Sequence, residues 1–195
     1  MELIDKTTCR DDEVIRCSQL TKRYPGGVLA VDRLDLTVCR GEIFGLLGPN
    51  GAGKTTTVGM LNTMVIPTGG QASIAGIDVI NQPALAKQLI GVVAQTNNLD
   101  RALNVRENLY YHGLFFGMGA AKSRAAADRF LVDFRLTEKT SADITTISGG
   151  MARRLQVARA LMHRPLVLFL DEPSTGLDPQ SRLALWQILR RLRRE

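Results

Sequence analysis

Residues 41–64 read GEIFGLLGPNGAGKTTTVGMLNTM. An apolar segment of strand length, EIFGLL, runs into a glycine-rich turn and on into TVGMLNTM, a strand, loop and helix in sequence. Within it Gly48, Pro49, Asn50, Gly51, Ala52, Gly53, Lys54 and Thr55 match G-x-x-x-x-G-K-[ST] without exception, and Thr56 follows. Such glycines let backbone N–H groups curl around phosphate oxygens at a helix N-terminus. The lysine then reaches the β and γ phosphates, and the threonine hydroxyl ligates magnesium. A glycine-rich turn that binds nothing is the plain alternative, and the complete match in strand-loop-helix context argues against it. The loop alone does not separate kinases, GTPases and transport ATPases, because all of them cradle phosphate with the same backbone geometry.

The separation comes from further along the chain. LVLFLDEP, residues 166–173, is a buried strand that ends in two carboxylates. Asp171 is placed to serve a magnesium ion, and Glu172 to orient or deprotonate an attacking water. Pro173 stops the strand where its end must be exposed. In ISGGM, residues 147–151, Ser148 with Gly149 and Gly150 opens a helix whose positive dipole end can face an anion, although an ordinary N-cap turn would look the same.

GPNGAGKTT, ISGGM, LVLFLDEP and STGLD (residues 174–178) occur in the order of the Walker A, signature, Walker B and D-loop motifs of ABC ATPases, and the chain resembles that family from about Val14 onward. The resemblance implies an α/β P-loop NTPase fold: a RecA-like core, an N-terminal antiparallel β subdomain and an inserted α-helical lobe. It implies that Gln95 is the Q-loop glutamine joining magnesium and water to the helical lobe, and that Tyr24, in KRYPGG, is the aromatic residue that stacks on adenine. It also implies ATP and Mg2+ as cofactors, with Thr55, Gln95 and Asp171 at the metal and Lys54, Gln95 and Glu172 in catalysis. In this family two cassettes pair head to tail, so that Ser148, Gly149 and Gly150 of one act in trans on the γ-phosphate held by the other. QTNNLDRALNVRENL and SGGMARRLQVARAL most resemble bacterial exporter cassettes of the daunorubicin-resistance and nodulation-factor-export kind. Such a cassette hydrolyses ATP to power export of a drug-like, lipid or saccharide substrate through a separately encoded multi-span permease.

On this reading residues 14–195 are one ATP-binding domain and residues 1–13 an N-terminal extension. Residues 14–95 and 165–195 form the nucleotide-binding core with its β subdomain, and residues 96–164 the helical lobe. Between residues 13 and 38 short β-branched stretches broken by Pro25-Gly26-Gly27 predict a small antiparallel sheet. Residues 71–79 and 89–94 read as further strands, with a short helix at 83–88. Residues 105–116, 120–134 and the stretch after Gly150 read as helices, the last of them stopped by Pro165.

Composition sets the remaining bounds. No run approaches the roughly 20 apolar residues of a membrane-spanning helix. The start, MELIDKTTCRDDE, lacks a basic end and an apolar signal core. Cys9, Cys17 and Cys39 lack metal-ligand spacing and suit a reducing compartment. The expectation is a cytoplasmic protein held peripherally at the inner face of the membrane. Of the net charge of +6, much sits on Arg190, Arg191, Arg193 and Arg194, which read as a solvated helix face, so no nucleic-acid partner is expected.

Two departures from the family pattern stand out. Ile147 replaces the usual leucine of the signature, a conservative exchange. No switch histidine follows the D-loop, because the sequence stops at Glu195 within LALWQILRRLRRE, and His112 and His163 lie in the wrong places to substitute. The expectation is that this sequence is a truncated form or fragment. The alternatives are a soluble ABC ATPase acting on nucleic acid or ribosomes and a truncated non-catalytic cassette; intact Lys54, Asp171 and Glu172 oppose the latter.

Overall fold

The computed structural model describes residues 12–192, so Cys9, Arg193, Arg194 and nearly all of the N-terminal extension lie outside the described residues. The chain separates into two compact units, Met1–Ile90 and Gly91–Glu195.

The first unit is built on a four-stranded sheet of order β2-β1-β3-β4. Its elements are β1 (Glu13–Arg23), β2 (Leu29–Cys39), α1 (Lys54–Leu61), β3 (Gly69–Ile74), β4 (Ile77–Asp78) and α2 (Pro83–Gln88). All strand pairings are antiparallel, as the sequence predicts for residues 13–38. β1 is central: Ile15 lies opposite Val38 on one side and Ile74 on the other, and Cys17 opposite Leu36 and Ala72. A strand shows alternate residues to one face, so Cys17 and Leu20, three apart, would normally point opposite ways. Both are buried, because the register shifts between them and Gln19 takes φ 50°, with its backbone N–H donating to Asp35 Oδ1 at 2.8 Å. Burial, aided by the charge of Asp35, pushes the Cys17 thiol up to about 11, so this cysteine behaves as a small core hydrophobe.

The second unit, from Gly91, carries all but the first residue of β5 (Ile90–Val93), paired with β6 (Val167–Leu170), and the helices α3 (Val105–Phe115), α4 (Ala120–Asp133), α5 (Gly149–Ala160) and α6 (Pro179–Leu192). Their apolar stripes meet in a core that includes Leu109, Phe130, Phe134, Leu136, Leu155, Met162 and Leu185. α3 starts at a capping box: the Asn104 side chain accepts from Glu107 N while Glu107 accepts from Asn104 N. Asn108, buried in the same helix, donates to the carbonyls of Asp100, Leu103 and Asn104 and accepts from Asp100 N, which fixes the loop leading into α3.

Two expectations are corrected. EIFGLL is not a strand: residues 43–49 carry no regular structure, and Ile43, Phe44 and Leu47 are exposed at 51%, 46% and 95%. Strand conformation persists only where backbone N–H and C=O groups meet a ladder partner, and neither described sheet includes this segment. The signature helix, in turn, ends at Ala160 rather than at Pro165. At its end Leu161 N donates to Ala158 O and Met162 N to Arg159 O, and a turn then leads to Arg164 at φ 56°.

Candidate nucleotide-binding site

In the first unit the glycine loop leads directly into α1. Gly51 and Gly53 have φ of 83° and 82°, in the left-handed region that glycine alone enters without strain. At Gly53 a side chain is also excluded by space, since a Cβ would lie 2.2 Å from the carbonyl oxygen of Ala30. Gly53 is the N-cap of α1, makes no side-chain capping bond, and is followed by no acidic residue in the first turn. The positive end of α1 is therefore met by neither a capping side chain nor an acidic charge of its own helix, an arrangement suited to an anion. Lys54 Nζ donates to the carbonyls of Gly48 and Pro49 at 2.7 and 2.8 Å, which folds the ammonium back over the loop. The Thr55 side chain is exposed at the same end of the helix.

Tyr24 stands at the turn between β1 and β2, where its N–H donates to Val28 O at 2.9 Å. Tyr24 is 37% exposed, its hydroxyl lies 3.5 Å from Thr56 Oγ1, and Lys22 Nζ lies 5.1 Å from the ring centroid. The fold thus brings Tyr24 beside Thr56, next to the phosphate loop. An open depression lined by Thr21, Lys22, Arg23, Tyr24, Pro25 and Thr68 adjoins it.

In the second unit β5 and β6 end side by side, with Asp171 N donating to Val93 O at 3.0 Å. Asp171 and Glu172 are both exposed there. Gln95 Nε2 donates to Glu172 Oε2 at 3.0 Å, and Thr175 Oγ1 donates to the same oxygen at 3.1 Å. Three of the residues singled out from the sequence, Gln95, Asp171 and Glu172, therefore share one end of this small sheet. Glu172 itself is held at φ 41°, a conformation that side-chain-bearing residues rarely adopt and that recurs at functional positions.

Ser148 caps α5, its hydroxyl accepting from Met151 N at 3.2 Å. Gly149 is exposed and Gly150 buried. Asp178, the last D-loop residue, accepts from Ser181 N at 2.9 Å, and its bonds to Ser181 hold its carboxyl below the usual range. His112 and His163 sit apart from these groups: the His163 ring stacks on Phe116 at 3.8 Å, and the two imidazoles are 5.9 Å apart.

Sequence reasoning missed three residues of this site. Thr175 lies within STGLD but gave no sign of reaching back to Glu172. Arg153 and Gln156 read as polar positions along α5, yet both are buried, at 7% and 5% exposure. An arginine and a glutamine one turn apart on the buried side of an amphipathic helix would have been the signal.

The ABC transporter family model matches residues 31–175. Nod factor export ATP-binding protein I of Paraburkholderia xenovorans is 46% identical over 181 residues, which cover 93% of this chain and 59% of that protein. The daunorubicin resistance ATP-binding protein DrrA2 of Streptomyces coeruleorubidus is 44% identical over 182 residues, covering 93% and 56% respectively. The chain thus spans a little over half the length of these curated relatives. A solved dimeric ATP-binding cassette in a post-hydrolysis state, bound to ADP and Pi, superposes with a TM-score of 0.81 at 26% identity, covering 92% of this chain and 82% of that one. The cbiO1 structure from Clostridium perfringens, part of a cbiONQ transporter complex, gives 0.85 at 24% identity over 94% of this chain and 74% of that one, which speaks for the fold alone. With a family model matched across most of its length, the chain belongs to the ABC transporter family and has the fold of its ATP-binding cassettes.

Proposed function

We propose that this chain is the ATP-hydrolysing cassette of an exporter-type ABC transporter, driving a drug-like, lipid or saccharide substrate through a separate membrane permease. The observation that carries the reading is the Gln95–Glu172 hydrogen bond at the end of β5 and β6, with Asp171 adjacent, in a chain that also holds a complete phosphate loop. A carboxylate fixed by neutral donors, one residue from a second and exposed carboxylate, suits a base that prepares water for attack.

Each residue has a role on this reading. The backbone N–H groups of Gly48, Pro49, Asn50, Gly51, Ala52 and Gly53 with those of Lys54, Thr55 and Thr56 are assigned to the phosphates, where Pro49 contributes shape rather than a donor. Lys54 supplies positive charge, Tyr24 offers its ring to adenine, and Glu172 accepts the proton of the attacking water while Gln95 steadies its carboxylate. Thr55, Gln95 and Asp171 are assigned to Mg2+, which when bound neutralises charge on the transferred phosphoryl group. Ser148, Gly149 and Gly150 are assigned to the nucleotide of a second cassette. The nucleotide-binding core is assigned to residues 14–95 and 165–195 and the helical lobe to residues 96–164.

Among the described residues no helix is long and apolar enough to cross a membrane, so the proposed attachment to the membrane is peripheral, through the permease. Affinity purification of the tagged protein from detergent-solubilised membranes of its host, with mass spectrometry of co-purifying chains, tests the reading. A stoichiometric multi-span protein is the expected result. Ribosomal proteins or nucleic acid in its place would overturn it.

A further inference from the structure

We propose that Arg153 is a positioning residue for ATP hydrolysis, holding from helix α5 the backbone around both Glu172 and Gln95. The proposal rests on the reading of this chain as an ATPase.

The Arg153 guanidinium makes four hydrogen bonds. Nε donates to Pro173 O at 3.0 Å and Nη2 to Asp171 O at 2.8 Å. Nη1 donates to Ala94 O at 2.5 Å and to Gln156 Oε1 at 3.1 Å. All four acceptors are neutral, and three are main-chain carbonyls at the ends of two strands. A buried charge is costly unless its donors are satisfied, and a planar fork of N–H groups is the side chain that can satisfy itself on several fixed carbonyls at once.

The positions of those carbonyls matter. Asp171 O belongs to the peptide plane that enters Glu172, and Pro173 O lies one residue beyond it, past a ring that already fixes φ. Arg153 therefore brackets the one residue of this strand end whose φ, 41°, lies in the disfavoured left-handed region. Ala94 O belongs to the peptide plane that enters Gln95. Gln156, one turn further along α5 and held by Arg153, donates from Nε2 to Thr96 O at 3.1 Å, on the far side of Gln95. Two side chains of one helix thus clamp the chain before and after each member of the Gln95–Glu172 pair. Neither touches the pair's own side chains, so their influence on turnover is through placement, to which reaction rates are steeply sensitive.

The test compares Arg153→Met, Arg153→Lys and Asn108→Ala with wild type by steady-state ATPase kinetics, thermal melting and hydrogen exchange read by mass spectrometry. Asn108 serves as a control for lost stability, being buried and hydrogen-bonded but bonded only to the loop before α3. Arg153→Met is expected to lower kcat by at least about tenfold with KM for ATP within about twofold. Arg153→Lys, which keeps the charge but not the fork, is expected to fall between it and wild type. Exchange is expected to quicken at residues 93–97 and 170–175 in both Arg153 variants, and elsewhere in Asn108→Ala, which melts earlier with wild-type kcat.

Wild-type kcat in Arg153→Met, an equal loss in Asn108→Ala, or unchanged exchange in the two segments would overturn the proposal. If Arg153→Met does not fold, Arg153→Lys decides by the same readouts. A wild-type protein that binds ATP without hydrolysing it counts against the ATPase reading instead, while the exchange data still decide whether Arg153 holds these segments.

Discussion

Gln95 Nε2 donates to Glu172 Oε2 across 3.0 Å, joining two residues 77 positions apart at the ends of neighbouring strands. Thr175 donates to the same oxygen, so the carboxylate is oriented from two sides by groups that carry no charge of their own. Replacing Glu172 by Gln keeps an oxygen for both donors and removes only the basicity. We predict that Glu172→Gln binds ATP within about threefold of wild type while hydrolysis falls by at least about a hundredfold. Nucleotide binding measured beside phosphate release checks this, and parallel losses in both would contradict it.

Tyr24 offers a partly exposed ring beside the phosphate loop, with its hydroxyl near Thr56. Stacking needs the ring and not the hydroxyl, and base-on-aromatic stacking is worth about 1–3 kcal/mol. Tyr24→Ala should therefore weaken ATP binding by about fivefold or more, whereas Tyr24→Phe should stay within about twofold of wild type. Titration with a fluorescent adenine nucleotide separates the two; equal losses would point to the hydroxyl instead.

The pKa of His112 is depressed to about 4, first by burial and then by the nearby Arg159 and His163, against an ordinary value of 6.5. Between those two values the unfolded chain binds a proton that the folded chain refuses. Stability should therefore fall as pH drops from about 7 towards 4, by roughly 2–3 kcal/mol, and level off below. Denaturant midpoints measured across that range, in wild type and in His112→Gln, test the sign: the variant should lose most of the slope attributable to this residue.

Gly150 shows how context reverses an ordinary rule. Replacing glycine by alanine inside a helix usually stabilises by about 1 kcal/mol. Here the added Cβ would come within 2.3 Å of Ser181 Oγ and 2.9 Å of Ser181 Cβ. Gly150→Ala is expected to lower Tm by several degrees, and Ser181→Gly in the same chain to recover part of the loss. A rise in Tm for the single variant would show that α5 and α6 yield without cost.

How far the sequence could be read follows from how local each feature is. The phosphate loop, the capped start of α5 and the DE pair depend on contiguous residues, and each was legible from spacing alone. The helices α3 and α4 were placed to within a residue at each end, because composition and caps act over a few positions. EIFGLL misled because an apolar stretch of strand length becomes a strand only beside a ladder partner, which no local pattern can supply. Arg153 was illegible for the same kind of reason: its acceptors are carbonyls 59, 18 and 20 residues away, brought to it by the pairing of β5 and β6. The register shift at Gln19 also escaped notice, since alternation in β1 is broken by one residue whose backbone is steadied by Asp35, 16 positions on.

The thiol of Cys17 has one further use. Lodged in the middle of the sheet, with ionisation pushed up to about 11, it is shielded from electrophiles at neutral pH by both burial and protonation. Alkylation at that single position, located by peptide mass, would therefore act as a clock for the moments when β1 parts from its neighbours, giving the opening rate of the first unit without any introduced probe.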